Sequence, residues 1–73
     1  MDHKRIGRRI KAFRKLKGYT QINFAKELDI PLSILGAVER GAEIPSNELL
    51  EIIVKKLVIT KEELITDSSK EGS

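Results

Sequence analysis

Ile6, Ile10, Phe13 and Leu16 recur at helical spacing near the start of the chain, within about 120° of one another on a helical wheel. Lys4, Arg8, Lys11 and Lys15 take the opposite side. The pattern predicts an amphipathic first helix that stops at Gly18, where a left-handed residue suits a helix end and Lys15 and Lys17 complement the dipole. Thr20 fits as the N-cap of a second helix with Ile22, Phe24, Ala25 and Leu28 as apolar positions, and Asp29-Ile30-Pro31 interrupts it. Pro31 confines Ile30 to extended geometry and suits the first position of a third helix, which carries Leu35 and Val38 inward and ends at Gly41. Pro45-Ser46 opens a fourth helix with Leu49, Leu50, Ile53 and Leu57 inward, and Thr60 to Glu63 reads as a capping box for a short fifth helix with Leu64 and Ile65. There is no strand-like alternation of useful length, no internal repeat and no glycine-rich phosphate loop. The expected fold class is all-α.

A length of 73 residues leaves room for one small domain, with no built-in effector-binding half and little core to spare for the walls of an enzyme cleft. Residues 1–66 are expected to form that domain, and residues 67–73, without an apolar side chain, a disordered polar tail. Leu, Ile, Val and Phe make up 23 of the 73 residues, enough for a packed core. The chain holds no cysteine, so neither disulfides nor thiolate metal sites are available, and no apolar run reaches the roughly 18 residues of a membrane span. A cytoplasmic, nucleoid-associated protein without cofactor, metal or membrane partner is expected.

Charge changes the picture most. Residues 1–18 carry eight basic side chains against Asp2 alone, whereas residues 19–73 carry six basic and ten acidic ones, so the net +3 conceals a basic end. Such an asymmetry suits a polyanion, although a solvated helix face accounts for a charge run equally well. A lipid surface suits it poorly, because Ile6, Ile10 and Phe13 are needed for the core and no Trp is present to anchor at an interface.

Gln21, Ala25, Asp29, Leu35 and Val38 form the informative spacing. Two helices joined by a short turn pack steeply when a small residue, here Ala25, lies at their crossing and the turn residue, here Asp29, tolerates positive φ. That arrangement is a helix-turn-helix, with the N-terminal part of the third helix directed outward. At this point residues 6–65 resemble the Cro and lambda-repressor type (XRE) family. The matching stretches are Ile6-Gly7-Arg8-Arg9-Ile10, Gly18-Tyr19-Thr20-Gln21, Phe24-Ala25, Val38-Glu39-Arg40-Gly41, Pro45-Ser46 and Leu57-Val58-Ile59-Thr60. The resemblance implies a compact five-helix lambda-repressor-like domain that binds operator DNA, commonly as a homodimer. It implies that Gln21 contacts DNA phosphate, with Thr20 adding a phosphate contact or capping its own helix, and that Arg14 and Glu39 form a buried structural pair. Arg40 matches an outward position near the DNA backbone.

The departures from that family matter equally. On a helical wheel Leu32, Ser33, Gly36, Ala37 and Arg40 form the outward face of the third helix, with Ile34 beside them. Forked hydrogen bonding to base edges needs Arg, Lys, Asn or Gln, and the usual reading positions hold Leu32, Ser33 and Ala37 instead. Hydrogen-bonded discrimination should be poor, leaving shape and thymine-methyl contacts. Ile52 stands where the family is usually polar, Glu51 where it is often apolar, and Val58 where glycine is common; a fourth helix rotated to bury Ile52 and Val54 is one way to accommodate this. The sequence therefore carries two readings. The first is a sequence-specific, repressor-like transcriptional regulator docking its third helix in the major groove, with Thr20, Gln21, Leu32, Ser33, Ile34, Gly36, Ala37 and Arg40 at the DNA. The second is a protein-interaction module on the same fold, antirepressor or antitoxin-like, using the apolar surface of the third or fourth helix and binding DNA weakly. An enzyme is not expected: His3, the one histidine, stands near the terminus with no nucleophile or acidic cluster around it.

Overall fold

Helix boundaries follow from the chemistry of their end residues. The computed structural model describes residues 3–65 and contains five helices: α1 (His3–Leu16), α2 (Gln21–Leu28), α3 (Leu32–Arg40), α4 (Asn47–Leu57) and α5 (Lys61–Ile65), with no strand among those residues. The expected tail at 67–73 lies outside the described residues. Thr20 caps α2 through a bond from the Asn23 N–H (3.0 Å), and Ser46 caps α4 through the Leu49 N–H (3.1 Å). The capping box of α5 is complete: the Glu63 N–H donates to the Thr60 hydroxyl at 3.0 Å and the Thr60 N–H to the Glu63 carboxylate at 2.8 Å. Gly18 and Gly41 take left-handed φ values of 89° and 80° at the ends of α1 and α3.

One core receives a face from every helix. Ile6 and Ile10 of α1, Phe24 and Leu28 of α2, Leu35 and Val38 of α3, Leu50, Ile53 and Leu57 of α4 and Leu64 of α5 are buried in it. Helix α1 packs chiefly on α3, and the approach is set by Gly7. A Cβ there would overlap the Val38 carbonyl oxygen and lie 2.6 Å from that of Glu39. Only a residue without a side chain lets the backbones meet.

Several positions differ from the helical-wheel expectation. Leu16 is 75% exposed: the buried face of α1 runs through Ile6, Gly7, Ile10 and Arg14, and at 100° per residue Leu16 lies about 135° from its centre. Ile22 is also exposed, at the outer side of the α2 start, and Ile65 is half-exposed. Pro31 is the N-cap of α3 rather than its first helical residue. His3 is the first residue of α1. Helix α4 is not turned to bury both apolar positions: Val54 packs against the core, whereas Ile52 remains on the surface. No described helix is long and apolar enough to cross a membrane.

Val58 carries the least favourable backbone of the fold. It ends α4 at φ 57°, ψ 49°, a left-handed conformation that a β-branched side chain seldom adopts, and 79% of it is exposed. The conformation costs about 1–2 kcal/mol, and there is little burial to offset it. Val58→Gly should therefore stabilise the domain by about 1 kcal/mol after the extra entropy of the unfolded glycine is subtracted. A urea titration checks this, and an unchanged or lower midpoint would remove strain at Val58 from the account.

Candidate nucleic-acid interface

The corner between α2 and α3 is built by Asp29. Its left-handed backbone (φ 57°, ψ 45°) turns the chain after α2, and the N–H groups of Asp29 and Ile30 return to the carbonyls of Lys26 and Ala25, each at 3.1 Å. The short polar side chain of Asp tolerates this region better than most non-glycine residues do. Pro31 then starts α3 with no side-chain cap. The Leu32 and Ser33 N–H groups have no intrahelical acceptor, that of Ile34 returns to the Pro31 carbonyl at 3.0 Å, and no side chain caps this turn, whereas a side chain caps the third N–H of α2, α4 and α5.

Behind this corner lies a buried ionic cluster. Arg14 Nε donates to Glu39 Oε2 at 2.7 Å and Nη2 to Oε1 at 3.3 Å, while Nη1 donates to the Tyr19 carbonyl at 2.8 Å. Both charged residues are 5% exposed. Glu39 Oε1 accepts a further bond from Gln21 Nε2 at 3.0 Å. The orientation of the Gln21 amide follows from chemistry, since an ionised carboxylate only accepts and the NH₂ must face it. One cluster thus links the end of α1, the loop before α2, the start of α2 and the end of α3.

This alters the environment of several expected contact residues. Gln21 is half-buried with part of its amide committed to Glu39, so its backbone N–H, its second amide hydrogen and its Oε1 are what remain for a ligand. Thr20 uses its hydroxyl as a cap. Gly36 lies within the outward arc of α3 but is buried, not outward-facing. Arg40 Nη1 and Gln21 Nε2 lie 3.2 and 3.8 Å from the point where a Cβ would stand, so side chains from the next turn and from α2 cover it. Ile34 is half-buried and packs against the core, which turns it away from the open face. Leu32, Ser33 and Arg40 are exposed, and Ala37 is half-buried beside them.

The basic first helix also divides. Arg8, Lys11, Lys15 and Lys17 are exposed, while Arg14 is neutralised by Glu39. Arg9 donates from Nε (3.1 Å) and Nη2 (2.6 Å) to the Glu63 carbonyl in the last turn of α5 and lies over the Phe13 ring, 5.9 Å from its centroid. That clamp went unrecognised in the sequence. Its signal was the absence of any basic residue in the last turn of α5, which leaves a helix end in need of a cation from elsewhere.

Comparison with known proteins agrees with this geometry. Residues 10–64 match the family described as "Helix-turn-helix", and the chain belongs to that family. An uncharacterized HTH-type transcriptional regulator from Bacillus subtilis, YazB, is 55% identical over 58 residues, which cover 80% of this chain and 84% of the relative. The antitoxin PezA of Streptococcus pneumoniae is 33% identical over 60 residues, covering 82% of this chain but only 38% of the antitoxin. Among solved structures, the restriction-modification controller protein C.AhdI from Aeromonas hydrophila superposes with a TM-score of 0.82 at 30% identity, over 88% of this chain and 97% of that one. The clp gene regulator ClgR from C. glutamicum, at 22% identity, shares the fold with a TM-score of 0.85 over 100% of this chain and 95% of its own.

Removing one member of the ionic cluster strands the other in the interior. Arg14→Ala is expected to cost about 3–5 kcal/mol, whereas the double replacement Arg14→Met with Glu39→Leu should recover much of that loss. Denaturant midpoints of the three proteins decide it. An unaltered midpoint for Arg14→Ala would mean that the buried charge is compensated by other groups.

Proposed function

We propose that this DNA-binding transcriptional regulator of the helix-turn-helix family sets α3 into the major groove of a near-palindromic operator, as a homodimer, and acts in a repressor-like manner. The observation that carries the reading is the α2–α3 corner, in which Asp29 turns the chain and Pro31 starts a helix whose first turn is uncapped and whose Leu32, Ser33 and Arg40 are exposed. Unpaired N–H groups at the starts of α2 and α3 favour an anion such as a DNA phosphate. In this reading Arg40 and the Gln21 backbone hold phosphates, Thr20 supports that contact as the α2 cap, and Leu32, Ser33 and Ala37 meet base edges. Gly36 serves by omitting a side chain, which admits the ends of Gln21 and Arg40 over it. Ile34 contributes only the edge that the core leaves uncovered. Exposed Ile44, Ile52 and Ile65 offer apolar surface for a second copy to cover. The setting for such a protein is the nucleoid in the cytoplasm, and the reading assigns it no catalytic chemistry.

The same apolar residues favour a second reading, a module that docks on another protein while binding DNA weakly. Likeness to an antitoxin supports it.

Titrating salt against binding to a random duplex and to DNA from upstream of the gene separates the two. The regulator reading expects a preference for the upstream DNA that survives about 150 mM salt, where sequence-blind binding falls to about 10⁻⁴–10⁻⁶ M. Arg40→Ala should weaken binding to both duplexes about equally and lower the slope of log affinity against log salt by about one. Equal affinities that vanish together as salt rises would favour the docking module instead.

A further inference from the structure

Forked donors or paired donor and acceptor groups are what read bases by hydrogen bonding in the major groove: Arg or Lys for guanine, Asn or Gln for adenine. The open face of α3 carries none of these over its first two turns. There it consists of Leu32, Ser33 and Ala37. Arg40 stands at the far end, with Nη1 drawn back over Gly36. Gln21 belongs to α2, and Glu39 holds one of its two amide hydrogens. What α3 offers the groove is hydrocarbon: Leu32, 43% exposed at the first helical position, and the methyl group of Ala37. Five residues of helix separate these two by about 7.5 Å along the axis, the span of two to three stacked bases.

The one major-groove feature that hydrocarbon reads is the C5-methyl group of thymine. Resting on the DNA-binding reading above, we infer that α3 selects its half-site through thymine methyls, with Leu32 and Ala37 each covering one. Ser33, between them, supplies a hydrogen bond that serves either base type. The site class is therefore a half-site with two thymines inside a window of about three base pairs, recognised by methyl burial rather than by guanine contacts. The uncapped start of α3 is consistent with this, because a free first turn and a small residue at 37 let the helix backbone come close to the groove floor.

Deoxyuridine tests the inference directly, since it removes the methyl and leaves every hydrogen-bonding group of the base in place. Sites would be recovered from a random duplex pool with the wild-type protein, and each thymine of the recovered half-site replaced singly by deoxyuridine. Two positions within the window should lose about fourfold in affinity, the value of one buried methyl. Leu32→Ala, a change at a surface position whose folding a thermal melt would verify, should abolish the penalty at one of the two and leave the other. A recovered site indifferent to all deoxyuridine replacements overturns the inference while the DNA-reading function stands. Deoxyuridine penalties that persist undiminished in Leu32→Ala overturn the assignment to this side chain. A pool in which no sequence is enriched contradicts the DNA-reading function itself, and the inference with it.

Discussion

The buried bond between Arg14 and Glu39 is the interaction on which the rest of the molecule depends. Each charge leaves water at a cost of several kcal/mol, which is offset only when geometry and the remaining hydrogen-bonding capacity are both satisfied. Here they are. The guanidinium gives two bonds to the carboxylate and one to the Tyr19 carbonyl, and the carboxylate takes a further bond from Gln21. Hydrophobic residues of similar volume would give comparable stability. What they would not give is direction: the forked pair fixes the rotation of α3 against α1, and the Gln21 amide joins the start of α2 to the same reference point.

Distance is set by a different residue type. Gly7 allows the backbone of α1 to touch the last carbonyls of α3, and Gly41 leaves no room for a Cβ beside Lys4. The ionic cluster and these close approaches hold α3 from behind, while the Asp29 turn holds it from the side. The proposed contact residues, held on such a support, need little ordering when a ligand arrives, which keeps the entropic cost of association low. The weakest point lies elsewhere, at Val58, where a left-handed β-branched residue joins α4 to α5 away from the proposed DNA face.

Local signals in the sequence specify most helix ends, with Pro31 displaced by one position. Thr20, Ser46 and the Thr60–Glu63 box start helices because their side chains reach N–H groups three residues along the chain, and Asp29 and Gly41 end them through positive φ. Apolar periodicity alone misplaces the inward direction of α1, because the buried face also includes Gly7 and the charged Arg14 and so turns away from Leu16. The wheel placed Gly36 on the correct side of α3 but could not include Arg40 and Gln21, whose long side chains cover it. Contacts between distant parts of the chain depend on helix packing as a whole: Gln21 to Glu39 leaves no local trace, and Arg9 to the Glu63 carbonyl leaves only the missing cation in the last turn of α5.

An α3 face with one hydroxyl and little else polar before Arg40 separates two properties that many DNA-binding surfaces combine. In the proposed reading, affinity comes from phosphates and selectivity from shape and methyl groups. The central claim is that the α2–α3 corner is the nucleic-acid surface, and backbone amide shift mapping of the isotope-labelled protein on addition of a short duplex tests it most directly. The account predicts that the largest shifts fall at Gln21, Leu32, Ser33, Ala37 and Arg40, with Ile44 and Ile52 unaffected at low protein concentration. Shifts confined to the α4 surface around Ile52, with the amides of α3 unmoved, would contradict it.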